Sequence, residues 1–378
     1  MDRQLCRMRP DWQRRVEERG CAFHTSNGIQ YWVEGAYYQF TLDEIDRIEA
    51  VASELHEMCL EVVSDTVQRG DYQSFCLPEN AIGLIEASWR QSHKGIYGRF
   101  DLCIGASDDP KLYEYNADTP TALLEAAVLQ WDWLEDVGLK LVPGADQFNS
   151  IHERLIARWR EVEVLSPVLH VTGLASSRED WSTALYVAET AMQAGLCSKA
   201  VPIDDIGWQD GVQFVDQDDQ PIRTLFKLYP WEWLLAESFG PYITSDAPRM
   251  IEPAWKLLLA SKGVLVELWR RFPTHPALLP ASFVRAEIDG PAVRKPVWGR
   301  EGSNILLERA GRAPIRTDGP FAEGPFVWQR AHSPRLVGGA YPVIGAWMVG
   351  DTACGVGIRE SDGLVTDDRA RFVPHLFA

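Results

Sequence analysis

The stretch of residues 97–126, YGRFDLCIGASDDPKLYEYNADTPTALLEA, concentrates the residue types that metal and phosphate chemistry needs. Arg99 and Asp101 are two apart, as are Glu114 and Asn116, so in two strands each pair projects from one face. The segment between them, GASDDP, is turn-forming. A hairpin folded about Ser107 and Asp108 sets Arg99 opposite Asn116 and Asp101 opposite Glu114, because antiparallel partners share one residue-number sum. Facing carboxylates repel unless a positive charge lies between them. Two carboxylates and an amide oxygen suit Mg²⁺, which takes a few protein oxygens and completes its octahedron with water or phosphate. A half-exposed polar hairpin in which Arg99 neutralises Asp101 shows the same alternation, and both readings stay open on pattern alone.

A second constellation is VRKPVWGREGSN, where Lys295 precedes a loop bearing Gly299 and Gly302. Glycines let a backbone approach phosphates and a nearby lysine neutralises them. The loop is neither GxxxxGK[ST] nor GxGxxG, and alone it is more often a flexible hairpin tip. Lys262, in LASKGVLVELW, is a helix lysine of the kind usually solvated. Lys227 ends an apolar strand in RTLFKLYPWEW and is a candidate for substrate contact, against the commoner snorkelling lysine. Arg359 ends the glycine-rich strand GVGIRES, where small residues admit a ligand or another backbone. Glu179 and Asp180, in SSREDW, stand at a helix start that favours negative side chains, and a cationic amine is the other reading.

These residues need elements to hold them. Thr41 and Glu44 have capping-box spacing, and Ile45, Ile48, Val51, Ala52, Leu55, Met58, Cys59 and Val63 then mark one face of a helix running to about Gly70. Thr119-Pro120 predicts the start of a second helix, with a buried stripe at Leu123, Leu124, Ala127, Val128, Trp131 and Leu134 and an end at Gly138. From Pro167 to Phe226 an apolar strand, a helix from about Glu179 to Ala194 and further strands around Val201, Phe214 and Leu225 follow in α/β order. Helices run from Tyr229 to about Pro273. Thereafter Arg294–Trp298 with Ile305–Leu307, and Val343–Val349 with Gly355–Arg359, read as hairpins. The expected class is α+β, a mixed α/β fold in one catalytic unit spanning residues 1–378.

A formal net charge of −17 argues against general affinity for nucleic acids or anionic membranes. The amino terminus has no apolar core of the signal-peptide kind, and the greasiest stretch is interrupted by Lys256 and Lys262, so a cytoplasmic location is expected. Seven cysteines, without a CxxC pair, are expected as reduced thiols.

In this order, RFDL, YEYNADTPT, EDW, LFKLYPWEW, EPAWKLLLASKG, KPVWGREGSNI, GAWMVGD and GIRES…VTDDRARFVPH resemble the glutathionylspermidine synthetase family of ATP-grasp ligases, in its form lacking the amidase domain. The resemblance implies an ATP-grasp fold and an ATP- and Mg²⁺-dependent carboxylate–amine ligase. It puts Asp101, Glu114 and Asn116 at the family's Mg²⁺ positions and Arg99 and Arg359 at its catalytic arginines. It assigns ATP to Lys262 and Lys295, to a mobile lid with Gly299, Glu301, Gly302 and Ser303, to Gln329, Arg330 and His332 at the adenine, and to Leu364, Val365 and Thr366. Thr119 and Thr121 stand where serines bind the acid substrate's carboxyl end, and Glu179 and Asp180 near paired amine-binding acids. Those Ser→Thr and Glu→Asp departures put glutathione and spermidine themselves in doubt. The alternative is a non-catalytic nucleotide- or peptide-binding module, against which stands the completeness of the metal and phosphate positions.

Overall fold

The hairpin that carries the chemistry forms with the expected pairing. A computed structural model describes residues 1–26, 28–105, 109–209, 211–244 and 248–378. The strands Tyr97–Ile104 and Pro110–Asn116 are antiparallel, with Arg99 opposite Asn116 and Asp101 opposite Glu114. Just past Asp101 a bulge shifts the register by one residue, so that Leu102 faces Leu112. The tip expected at Ser107 and Asp108 lies outside the described residues.

These strands close one edge of a five-stranded antiparallel sheet whose other members are Tyr341–Val349, Thr352–Ser361 and Arg371–Val373. Gly345 sits opposite Asp101, and a Cβ there would come within 2.7 Å of the Arg99 Cδ. The missing side chain is therefore what lets Arg99 lie across the sheet face. Behind this sheet packs the helix Leu42–Arg69, started by the expected capping box and ended by Gly70 at φ 68°. Its Ile45, Ile48, Ala52, Leu55, Met58, Cys59 and Val63 are buried, as the stripe predicts, and each large aliphatic contributes about 1.5–3 kcal/mol by leaving water.

A second five-stranded antiparallel sheet, of Ala281–Ser282, Phe326–Arg330, Ala292–Pro296, Leu306–Arg309 and Arg312–Arg316, faces the first. A third, parallel sheet orders Arg249–Ile251, Thr224–Leu228, Val168–Gly173 and Cys197–Pro202, with the helix Arg178–Gln193 packed on it. Val168–Gly173, Cys197–Pro202 and Thr224–Leu228 are the α/β segment read from the sequence, whereas the strand at Phe214 pairs with Gly207–Gln209 in a separate two-stranded sheet, and Arg249–Ile251 is a strand within the stretch expected to be helical. Ser177 caps the helix, its Oγ accepting from the Asp180 N–H at 3.3 Å.

The second expected helix needs correction. Thr119, Pro120 and Thr121 are irregular, Ala122 adopts φ 64°, and helical winding begins only at Leu123. It does not stop at Gly138 but continues to Leu141, passing through π-helical turns at Glu125–Leu129 and Leu134–Gly138. A π turn holds an extra residue, so the buried stripe rotates out of a 3.6-residue pattern. Trp131 is accordingly 37% exposed while Trp133 is fully buried.

All seven cysteines are free, and burial pushes the Cys6 and Cys103 thiols up to about 11, away from thiolate chemistry. Among the described residues no helix is long and apolar enough to cross a membrane.

Candidate active site

The two antiparallel sheets and the carboxyl end of the parallel sheet enclose a cavity of about 390 Å³, within the size range of small-molecule sites. Asp101 is its charge centre. One oxygen accepts from Arg99 Nε at 2.7 Å and the other from Arg359 Nη2 at 2.5 Å, and Arg99 also reaches the Thr121 carbonyl at 2.6 Å. Opposite Asp101, Glu114 pairs with Lys262 at 3.0 Å. Burial alone would raise the Glu114 carboxyl, but Lys262 and Lys295, followed by Arg359, hold it down at about 2. The Asn116 amide nitrogen lies 3.3 Å from Asp101 Oδ2 and 3.4 Å from Glu114 Oε1.

This donor set fits Mg²⁺. Two carboxylates share a cavity face with an amide whose positive N–H end is drawn to both of them. Among the described residues no three His, Cys, Asp or Glu side chains gather into a closed cage. Mg²⁺ needs none, since one or two carboxylates with substrate phosphates commonly suffice.

The facing sheet supplies the cations. Lys295 Nζ donates to the Gln329 Oε1 at 2.8 Å and to the Tyr113 carbonyl at 2.9 Å, while Gln329 donates to the Leu112 carbonyl at 3.0 Å. The two sheets are thus tied together across the cavity. Burial pushes the Lys295 ammonium down to about 8, which an arriving phosphate would reverse. Lys262 caps the helix Gly263–Arg271, its backbone N–H bonded to the Val297 carbonyl and its Nζ to the Gly299 carbonyl at 2.6 Å. Arg330 and His332 line the cavity beside Gln329. Gly299, Glu301, Gly302 and Ser303 line it from the glycine loop, and Leu364, Val365 and Thr366 from across that loop. Gly302 has φ 65°, and a Cβ on it would meet the Thr366 carbonyl at 2.5 Å, so glycine is required where the loop seats. Nucleotide should tighten that seat. Amide exchange across residues 299–304 should slow in the presence of Mg²⁺ and ATP; equal exchange with and without nucleotide would contradict a lid.

The remaining end carries Thr119, Thr121 and Asp180 on its wall. Burial, then Glu179 and Glu301, push the Asp180 carboxyl up to about 6. Glu179 stands beside these groups without lining the cavity itself. Lys227 is not on the wall either. It is fully buried, paired with Asp118 at 2.5 Å, bonded to the Tyr229 carbonyl at 3.0 Å and laid 4.8 Å from the Trp231 ring centroid. The strand-end lysine thus serves an internal ion pair where a substrate contact was expected. The helix start is also not at Thr119, so Thr119 and Thr121 offer a ligand their hydroxyls and no helix dipole.

Sequence reasoning passed over Arg300, although its charge inside the glycine loop was a visible signal. Its guanidinium donates to Thr119 Oγ1 at 2.9 Å and Glu232 Oε1 at 2.6 Å, tying the loop to the wall that carries Thr119. Glu125 lies inside the helix whose apolar stripe was read from the sequence, and its charge between Leu124 and Ala126 was passed over. It is fully buried; Tyr31 Oη donates to one oxygen at 2.6 Å, and the other has no partner among the described residues. Burial and then Glu179 push this carboxyl up to about 7. The folded-state value lies above the unfolded one of about 4.3, so its contribution is fully present at low pH and lost as pH rises through about 7. Glu125→Gln should therefore gain stability relative to wild type between pH 5 and pH 8 in denaturant titrations. A difference independent of pH would refute this.

A family model described as glutathionylspermidine synthase preATP-grasp matches residues 3–378. The chain belongs to this family. A Haemophilus influenzae protein described as "Putative acid--amine ligase" is 42% identical over 386 residues, covering 98% of this chain and 97% of that one. Trypanothione synthetase of Crithidia fasciculata is 27% identical over 87% of this chain and 55% of its own length. The bifunctional glutathionylspermidine synthetase/amidase of Escherichia coli is 27% identical over 93% of this chain and 61% of its own. The chain thus spans little more than half of those two relatives. A glutathione synthetase-like effector from Globodera pallida superposes with a TM-score of 0.59 over 99% of this chain and 100% of that one, at 10% identity, a likeness of fold. The fold is the mixed α/β ATP-grasp architecture, and the family's reaction class is that of ATP-dependent ligases forming C–N bonds.

Proposed function

We propose that this chain joins a small peptide-like acid to an amine through an acyl phosphate, consuming ATP with Mg²⁺. The observation that carries the reading is the arrangement around Asp101, with Glu114 and Asn116 on the same face and Arg99, Arg359 and Lys262 in contact with the two carboxylates. Phosphoryl transfer needs little covalent help and is catalysed by positioning and by cations at the phosphate oxygens. Asp101, Glu114 and Asn116 would hold Mg²⁺, which would supply charge neutralisation at those oxygens.

The protein's own groups do the rest. Lys262 and Lys295 hold the phosphate chain, while Gln329, Arg330, His332 and the 364–366 segment enclose the base. Thr119, Thr121 and Arg300 seat the acid's carboxylate, whose oxygen attacks the γ-phosphorus as ADP leaves. Arg99 and Arg359, aimed into the cavity by Asp101, stabilise the transferring group and then the tetrahedral oxyanion. Asp180, with Glu179 and Glu301 behind it, attracts the cationic amine; the nitrogen sheds one proton to solvent to free its lone pair, attacks the acyl carbon, and gives a second proton to the phosphate it displaces. The lid of 299–303 keeps water from the acyl phosphate. The test is an ADP-release screen over acid and amine pairs with Mg²⁺. ADP formation that requires both partners supports the reading, and tight Mg²⁺–ATP binding without turnover on any pair argues for a non-catalytic binding module.

A further inference from the structure

The cavity around Thr119 is polar only on one side. Leu228 closes the strand Thr224–Leu228, Leu174 directly follows Val168–Gly173, and both line the cavity with Pro230 and Trp233. Leu228 pairs with Gly173 in the parallel sheet, and a Cβ on Gly173 would lie 3.6 Å from the Leu228 Cβ. This apolar wall is therefore built at the carboxyl ends of neighbouring parallel strands, where open α/β sheets present their ligand crevices.

Trp233 differs from its near neighbour Trp231 in exposure. Trp231, two residues earlier, is 1% exposed, whereas Trp233 is 38% exposed although it lies on the cavity wall. Tyr229 packs edge-on to it at 5.8 Å, and the Arg300 guanidinium lies 5.6 Å from its ring centroid. The same guanidinium bonds Thr119 Oγ1 at 2.9 Å. A single planar cation thus touches both the Thr119 hydroxyl and the indole, and Thr119 and Trp233 line the same cavity, so Trp233 is within the space open to the atoms behind a carboxylate held at Thr119. A polar group there would leave water against the indole, Leu174 and Leu228; an apolar one removes it from all three.

We propose that the acid substrate bears an apolar side chain, branched aliphatic or aromatic, on the residue just behind its reacting carboxyl end, and that Trp233 with Leu174 and Leu228 selects for it. The inference rests on the ligase reading in taking Thr119, Thr121 and Arg300 as the carboxylate seat. Pockets of this kind discriminate by about 10–200-fold per methylene.

The test is equilibrium binding of glycylglycine, leucylglycine and phenylalanylglycine by calorimetry, with Mg²⁺ and the non-hydrolysable analogue AMPPNP present. Leucylglycine and phenylalanylglycine should bind the wild type at least tenfold tighter than glycylglycine. Trp233→Ala should bring the three within about threefold of one another, while Trp233→Phe, which keeps a flat ring, should retain most of the preference. Equal affinities in the wild type, a preference untouched by Trp233→Ala, or AMPPNP binding with no dipeptide bound would overturn the apolar seat and leave the ligase reading standing. A dipeptide preference that persists although AMPPNP does not bind supports the seat and sinks the ligase reading.

Discussion

Replacing Asp101 with Asn should lower kcat by about 10²–10³-fold, with the loss incompletely recovered by raising Mg²⁺. The substitution keeps the side chain's shape and removes one of the two negative charges facing each other across the hairpin. It also loosens Arg99 and Arg359, which Asp101 holds at 2.7 and 2.5 Å. Because these groups act together, the loss belongs in kcat more than in the KM of the acid or the amine. Steady-state rates over a Mg²⁺ series decide the matter. A kcat within fivefold of wild type would remove Asp101 from the site.

The second large effect concerns stability. Lys227 and Asp118 form an ion pair with 0% and 1% side-chain exposure, and Asp118 also accepts from the Trp231 N–H at 3.0 Å. Asp118→Ala leaves a buried ammonium uncompensated, for which the usual penalty is about 3–5 kcal/mol. With an unfolding entropy of about 2.1 cal/mol/K per residue, a chain this long should lose roughly 4–6 °C in Tm. The paired change Asp118→Leu with Lys227→Met should recover most of that loss, because no charge is then stranded. Scanning calorimetry of the three proteins checks the account, and a double variant no more stable than Asp118→Ala would contradict a purely internal role for the pair.

What the sequence made legible follows the rigidity of its local rules. Strand alternation and the constant sum of antiparallel partners placed Arg99 with Asn116 and Asp101 with Glu114, since both pairs lie before the bulge. The bulge itself leaves no mark in residue types, so the shift that sets Leu102 against Leu112 was not readable. The capping box at Thr41 and Glu44 was decisive because two side chains specify one helix start. Thr119-Pro120 carried a similar but weaker signal, and tertiary packing overrode it: Ala122 at φ 64° turns the chain before Leu123 winds.

The same limit explains the misplaced lysine. An apolar strand ending in Lys227 and a buried Asp118 109 residues earlier are ordinary features separately, and only the fold brings Nζ to Oδ1. Arg300 is the converse case. Its contact to Thr119 across 181 residues joins two segments that sequence reading assigned to nucleotide and acid apart. Periodicity reports which face of an element is buried and says nothing about which distant partner covers it.

The central claim, amide formation through an acyl phosphate, has a test in the fate of one oxygen atom. With an acid whose carboxylate is labelled with ¹⁸O, and an amine that supports ADP release, the inorganic phosphate formed should carry a single ¹⁸O per amide made. The attacking carboxylate oxygen becomes the bridge to phosphorus and leaves with it when nitrogen takes the carbon. Unlabelled phosphate beside ADP, or AMP and pyrophosphate carrying the label into AMP, would contradict the account.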